Sequence, residues 1–147
     1  MFKKISNYLP PKTYKPLIFT GILALVLVLI FALTAFTGEI NYEFKNDSLT
    51  VNASYHKSLE IKYSEIDSIE FRVNSDVGKR DGAFVSDKLL LGNFESERYG
   101  EYIRYSYKNN SSSIIIKAKN KTIILNDKTD SETKELYSEI LNWVPKK

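Results

Sequence analysis

The chain has 147 residues, no cysteine, and a formal net charge of +3 from 21 basic and 18 acidic side chains. The absence of cysteine excludes disulfides, thiolate metal sites and a cysteine nucleophile. Four lysines (Lys3, Lys4, Lys12 and Lys15) precede residue 38 with no acid among them, so 17 basic and 18 acidic side chains remain from there onward. A nearly neutral domain lacks the electrostatic footprint of a polyanion binder, and we expect no nucleic-acid partner.

An uncharged apolar stretch follows the basic N-terminal segment. Residues 17–36 carry no charged side chain, and a helix of this length crosses the roughly 30 Å of bilayer hydrocarbon. We predict a basic tail at 1–16, a transmembrane helix at 17–37 and a folded domain at 38–147. A cleaved signal peptide is the alternative, although its apolar core usually has only about 7–15 residues. The positive-inside rule predicts a single-pass cell-membrane protein with a cytoplasmic N terminus and an extracytoplasmic domain.

After Gly38 the apolar residues recur with a period of two, which is typical of strands. Asn46-Asp47 and Lys119-Asn120-Lys121 are predicted hairpin turns, and no proline interrupts residues 38–144. The pattern predicts a mainly β domain, an antiparallel sandwich or barrel of seven to eight strands. The strand candidates are 40–45, 48–55, 58–63, 68–73, 88–94, 101–108, 112–118 and 121–125.

The last segment changes to helical spacing. Thr129 or Asp130 is the predicted N-cap, with Glu132 three residues after Thr129, and Pro145 ends the helix. We therefore predict one C-terminal α-helix at 130–144. Its apolar residues, Leu136, Ile140 and Trp143, are expected to cover the open end of the barrel.

Residues suited to catalysis are scarce. The one histidine, His56, lies in a predicted turn beside Lys57 and is interpreted as a surface residue. With no cysteine and one histidine, a zinc site is not expected. Asp127 and Asp130 lack the spacing and the glycine of a calcium loop. We predict no catalytic residue, no metal, no cofactor and no enzymatic activity.

Four of the six glycines fall within residues 78–100. A phosphate-binding glycine loop runs directly into a helix, whereas strand-like residues follow Gly78 and Gly82. We therefore interpret Gly78, Gly82, Gly92 and Gly100 as corners of a curved sheet. The basic and aromatic residues around them form a candidate contact rim, composed of Lys79, Arg80, Arg98, Tyr99, Tyr102 and Arg104.

Several short segments resemble the bacterial pleckstrin-homology-like domains. They are "IDSIEFR" (66–72), "RDG" (80–82), "LGNF" (91–94), "YGEYIRY" (99–105), "SIIIKA" (113–118) and "ELYSEI" (135–140). The resemblance implies a small β-barrel with a C-terminal helix over residues 38–144, near a membrane anchor, and a role in binding lipid, peptide or protein. The first hairpin, "EFKNDSLTV", offers only Lys45 beside Asp47, so phosphoinositide binding is not expected.

Three hypotheses about function follow. The first is a membrane-anchored, non-catalytic module that binds a protein or peptide at the cell envelope, through a sheet edge or the face beside the helix. The second is a sensor of membrane lipid or of the membrane surface, acting through the contact rim. The third is a small envelope hydrolase, for which the sequence offers no evident nucleophile or metal set.

Overall fold

The computed structural model describes residues 14–145, and the chain divides into two units, one up to Leu33 and one from Thr34 onward. Helix α1, Tyr14–Phe36, has 23 residues. Its stretch Lys15–Phe36 has a mean hydropathy of 2.9 and is not buried against protein. The prediction of an apolar helix here is confirmed, and its length and composition suit a membrane anchor or a signal sequence. Most of the predicted basic tail, 1–13, lies outside the described residues.

The second unit contains ten strands and one helix within the described residues, instead of the predicted seven to eight strands. The two additional strands, β5 and β6, have only two residues each and pair with the longer β7. The strands are β1 Ile40–Phe44, β2 Ser48–Ala53, β3 Leu59–Lys62, β4 Ile66–Val73, β5 Lys79–Arg80, β6 Phe84–Val85, β7 Leu89–Ser96, β8 Gly100–Tyr107, β9 Ser112–Ala118 and β10 Lys121–Leu125. The final helix, α2, is Asp130–Trp143.

The first three strands form an antiparallel sheet in the order β1-β2-β3. The first hairpin turns at the predicted position, because the Lys45 N–H donates to the Ser48 carbonyl (2.9 Å) across Asn46-Asp47. Side chains on β1 alternate as predicted, with Tyr42 and Phe44 half-buried and the intervening Glu43 exposed. A single-turn 3-10 helix, Tyr63–Glu65, then leads from β3 into β4.

The other seven strands form a second sheet, with β4-β9-β10-β8-β7-β5 in order and β6 also paired to β7. The sheet is mixed, because β8 and β10 pair in parallel. The chain reverses direction twice between these two strands, and β10 lies directly beside β8, so the pair must run the same way. The expectation of a purely antiparallel domain was therefore wrong. The expected barrel closure is also absent from the described residues, because both sheets retain free edges.

The main core lies where the two sheets and α2 meet. Fully buried side chains from each sheet and from α2 contribute to it, among them Leu49, Val51, Leu91, Ile114, Ile116, Leu125 and Ile140. A second apolar cluster covers the opposite face of the large sheet, and its buried members are Leu90, Phe94, Tyr102, Ile115 and Ile124. The large sheet consequently has buried apolar side chains on both faces.

Helix α2 begins at the predicted N-cap. The Thr129 hydroxyl accepts a hydrogen bond from the Glu132 N–H (3.2 Å) and donates one to the Glu132 carboxylate (2.8 Å). Leu136 and Ile140 are buried in the main core, as predicted. Trp143, by contrast, is 40% exposed and stacks against Phe44, with a ring-centroid distance of 6.0 Å. The helix packs against both sheets, which do not close into a barrel within the described residues.

The four glycines of residues 78–100 all have positive φ angles, although Gly92 lies within strand β7 and not at a corner. At Gly78, with φ +66°, an added Cβ would lie 2.2 Å from the Glu95 carbonyl oxygen. Only glycine permits the chain to cross so close to β7 at this position.

Candidate functional site

The six residues of the predicted contact rim differ in their exposure, and ring contacts link four of them: Arg98, Tyr99, Tyr102 and Arg104. Lys79 and Arg80 lie exposed on β5, at one edge of the large sheet. Arg98 is exposed in the turn between β7 and β8, with its guanidinium carbon 5.9 Å from the centre of the Tyr99 ring. The Tyr99 ring is only partly exposed and packs against Tyr102, with their centroids 5.8 Å apart.

The other two rim residues are buried, with Tyr102 3% and Arg104 2% exposed. Along β8, Ile103 and Tyr105 face the main core, so Tyr102 and Arg104 lie on the opposite face of the sheet. That face carries the second apolar cluster, and neither side chain is exposed for contact with a partner.

The segment between β4 and β5 crosses over these two side chains. The Arg104 guanidinium donates to the hydroxyl of Ser75 (2.8 Å) and, more distantly, to that of Ser113 (3.5 Å). The Tyr102 hydroxyl donates to the Val77 carbonyl. Both side chains thus fasten this crossing segment to the sheet, which is a structural role.

Arg104 is a buried cation without a carboxylate within 4.0 Å in the described part of the chain. Its Nε has no hydrogen-bond partner among those residues. Desolvation by burial lowers the pKa of Arg104 below the usual value, since burial disfavours the charged form. The Tyr102 ring, 6.0 Å from the guanidinium carbon, offers only partial compensation.

We expect Arg104→Met to leave the free energy of unfolding unchanged or to raise it by up to about 2 kcal/mol, because removal of an uncompensated buried charge offsets the lost contacts. Ser75 and Ser113 also hydrogen-bond to each other (2.7 Å), so we expect their hydroxyls to keep a partner in this variant. Urea denaturation of the full chain measures the change, with the exposed Arg98→Met as the matched control. A loss of more than about 1 kcal/mol, absent from the control, would show that the guanidinium stabilises the fold.

His56 is partly buried, in contrast to the predicted surface position. Its ring packs edge-on against Tyr105, with centroids 5.5 Å apart. Gly92 makes room for it, because a Cβ at this position would lie 3.2 Å from the His56 Nε2. Burial, assisted by the positive charge of Lys57, lowers the pKa of His56. The ring therefore packs as a neutral aromatic group.

Acidic side chains gather at one shallow depression of about 330 Å³, which Asp76, Glu95 and Glu97 line together with Lys79. Among the described residues, no group of three or more histidine, cysteine or acidic side chains is placed to hold a metal ion. The carboxylates of this depression therefore do not form a metal-binding site among the described residues.

A groove of about 380 Å³ is lined by residues of strand β1 and helix α2, and we refer to it as the β1–α2 groove. Its strand side is formed by Ile40, Asn41, Tyr42 and Phe44. The helix runs along β1, because Lys128, just before α2, pairs with Glu39 (3.4 Å) while Trp143, at its end, stacks on Phe44. The groove therefore follows the whole length of the strand.

The free edge of β1 borders this groove. In an antiparallel pair, alternate residues direct their N–H and C=O groups toward the neighbouring strand. The bond from the Ser54 N–H to the Glu39 carbonyl (3.0 Å) and the Lys45–Ser48 bond identify the odd-numbered residues of β1 as those that bond to β2. The main-chain groups of Ile40, Tyr42 and Phe44 consequently point away from β2.

One of these outward groups already has a partner, since the Ile40 N–H donates to the Tyr107 hydroxyl (3.0 Å). This bond occupies the Ile40 N–H, which is the first outward-pointing donor of β1. The Tyr42 hydroxyl likewise reaches the Asn126 carbonyl (2.5 Å) and holds β1 beside the large sheet. The remaining outward edge, at Tyr42 and Phe44, has no strand beside it in the described part of the chain.

The helix side of the groove is acidic. Leu136 forms its apolar floor, and Glu132, Glu135 and Glu139 lie at spacings that place them on one side of a helix. With Asp127, the lining has four carboxylates and one cation, Lys128. That cation is already paired with Glu39, and this bond raises the pKa of Lys128.

Sequence reasoning did not single out this groove. The three glutamates and the alternation of β1 are visible in the sequence, but their proximity depends on the tertiary packing of α2 beside β1. The fact that β1 is an edge strand also emerges only from the sheet order.

Comparison with protein-family models, curated proteins and solved structures found no match to any of them. What is shown is an N-terminal apolar helix followed by a β-sheet domain with a C-terminal helix, and the pleckstrin-homology-like assignment stays a prediction.

Proposed function

We propose that the protein is a single-pass membrane protein whose β-domain is a non-catalytic, pleckstrin-homology-like binding module for an extended segment of a partner protein. The segment binds in the β1–α2 groove as an additional strand on β1. The observation that supports this is the unpaired edge of β1 beside an open groove. The order of the elements, with one helix packed on the core after the last strand, supports the proposed fold type.

Strand addition is a common mode of peptide recognition, because the free main-chain groups of an edge strand supply hydrogen bonds that do not depend on side-chain identity. Among the described residues, no strand pairs with the outward edge of β1 at Tyr42 and Phe44. The apolar floor at Leu136 adds a surface that desolvates those bonds. Specificity then comes from the side chains of the added segment that face α2.

The other edges are less suited to pairing. Strands β5 and β6 have two residues each, and β5 carries two charged side chains. Strand β4 has an irregular register between Ile66 and Ser68, and such bulges protect edges from added strands. Strand β3 has four residues, with Glu60 and Lys62 exposed. Strand β1 combines a continuous register with a bordering groove.

The proposed topology places the N-terminal lysines in the cytoplasm and the β-domain outside the cell membrane. The exposed apolar helix α1 and the lysines before it support this arrangement. The partner segment then belongs to a protein of the cell envelope.

The contact rim provides less support for a membrane-surface sensor. Of its six residues, Tyr102 and Arg104 are buried, so three exposed cations and the partly exposed Tyr99 remain. We therefore place the binding function at the β1–α2 groove.

Photocrosslinking in intact cells tests the proposal. A photoreactive amino acid at Asn41 or at Glu135 should form adducts with the same segment of one partner, whereas the same group at the exposed Asn93, on β7, should not. The segment is identified by mass spectrometry, synthesised and added to the full chain. It should then slow hydrogen exchange at the Tyr42 and Phe44 amides by about tenfold or more, since these amides become hydrogen-bonded.

Identical adducts from Asn93 and from the groove positions would contradict the proposal. So would a synthetic segment that binds without protecting either amide, since this result would place binding away from the edge of β1.

A further inference from the structure

We propose that the segment bound in the β1–α2 groove is basic, with lysine or arginine at alternate positions facing α2. This inference rests on the proposed function and adds the chemical class of the partner. The carboxylates that line the groove supply the argument, and they are independent of the main-chain groups of β1 that support strand addition.

The charges of the groove are strongly unbalanced. Four carboxylates and one ammonium group line it, a net charge of −3, whereas the chain from residue 38 onward is nearly neutral. Glu132, Glu135 and Glu139 are exposed. The Glu132 carboxylate also accepts a hydrogen bond from the Thr129 hydroxyl, whereas the carboxylates of Glu135 and Glu139 are solvated in the free protein and available to a partner. None of the three forms an ion pair within 4.0 Å in the described part of the chain.

The spacing of these glutamates suits a strand. Seven residues of helix separate Glu132 from Glu139, a rise of about 10 Å. Three alternate residues of a strand extend over about 13 Å, and all three face the same side. The long, flexible side chains of lysine and arginine absorb the small difference. Three successive basic side chains of an added strand can therefore each approach one glutamate.

The carboxylates of the β1–α2 groove also argue against two other molecules that could bind there. A second copy of the chain, paired through its own β1, would bring two negative grooves together, and like charges in close proximity destabilise a complex. An anionic lipid headgroup would meet the same repulsion. Charge complementarity thus selects a basic segment of another protein.

The test uses the full chain in nanodiscs of phosphatidylcholine, a lipid without net charge. Three eight-residue peptides, acetylated and amidated at their ends, carry valine at odd positions and lysine, threonine or glutamate at even positions. Fluorescence anisotropy measures their affinities. We expect the lysine peptide to bind at least about tenfold more tightly than the threonine peptide, and the glutamate peptide to bind most weakly. Each exposed ion pair is worth a factor of roughly 1.5 to 5.

The double variant E135Q/E139Q should weaken binding of the lysine peptide about fivefold more than it weakens binding of the threonine peptide. The matched control, E95Q/E97Q, removes two exposed carboxylates, one on β7 and one in the turn after it, and should change neither affinity. Raising the salt concentration from 50 to 500 mM should reduce the preference for the lysine peptide, because the ion pairs are exposed.

Hydrogen exchange at the Tyr42 and Phe44 amides distinguishes failure of the basic-partner proposal from failure of strand addition on β1. If the three peptides protect these amides with equal affinity, or if the glutamate peptide binds best, the basic partner is excluded while strand addition stands. If no peptide protects either amide, strand addition fails, and the assignment of a basic partner fails with it. Circular dichroism of each variant verifies that it is folded.

Discussion

Replacement of Asn126 by alanine is expected to lower the free energy of unfolding by about 3–5 kcal/mol. Asn126 follows β10 and is only 1% exposed. Its side-chain oxygen accepts a hydrogen bond from the Tyr107 N–H (2.6 Å). Its side-chain NH₂ donates to the carbonyls of Tyr107 (3.1 Å), Ser112 (3.1 Å) and Asn110 (3.3 Å).

The size of this effect follows from the main-chain groups that the substitution would leave behind. Asn126 bonds to the end of β8 and the beginning of β9, where the parallel pairing of β8 with β10 ends. Alanine would leave several buried main-chain groups without partners, and each such group costs about 1–3 kcal/mol. Since domains are stable by only about 5–15 kcal/mol, the loss would be a large part of the total.

Urea denaturation followed by circular dichroism measures the change, and the exposed Asn93→Ala serves as the control, expected within about 0.5 kcal/mol of the original chain. Asn126→Asp retains the shape but turns a donor into a charged acceptor, so it should destabilise the domain at least as much at pH 7. If Asn126→Ala costs less than about 1 kcal/mol, the network does not stabilise the domain as described.

The second large effect concerns helix α1. The double variant L25R/L27R places two charges at the middle of the apolar helix, at positions that are exposed in the structure. Each arginine at the centre of a membrane-spanning helix costs about 2.5–3.5 kcal/mol, so the pair costs about 5–7 kcal/mol. We expect the variant to lose membrane insertion. L25A/L27A, which keeps the stretch uncharged, should remain inserted.

Carbonate extraction and a reporter enzyme fused to the C terminus, active only outside the cytoplasm, measure insertion and orientation together. The original chain should remain in the membrane fraction at its full mass of 16.9 kDa plus the reporter, with the reporter active. Loss of the N-terminal segment would identify a signal peptide instead of an anchor. An inactive reporter on an inserted chain would reverse the proposed topology.

The elements with a strong local period could be predicted from the sequence. The apolar run of α1, the alternation of β1 and the cap of α2 at Thr129 are local patterns, and the structure has all three. Strands β5 and β6 could not be predicted, because a two-residue strand has no period and exists only through its pairing with β7.

The candidate site was harder to predict than the fold. Arg104 was included in the contact rim as one of the basic residues near the glycines, yet it is 2% exposed and donates a hydrogen bond to Ser75 in the segment that crosses over it. The groove depends on which strand ends a sheet and on which side of that strand a distant helix lies. Neither property is encoded locally in the residues of β1 or of α2.

The position of Trp143 makes intrinsic tryptophan fluorescence a probe of the β1–α2 groove. Trp143 is the single tryptophan of the chain, it is partly exposed, and it stacks on Phe44, at the end of the strand that borders the groove. Indole emission depends on the polarity around the ring. A segment that covers Phe44 would exclude water from this position, and the emission would shift to shorter wavelength. Occupancy of the groove can therefore be followed in the unlabelled protein, without a dye and without a cysteine.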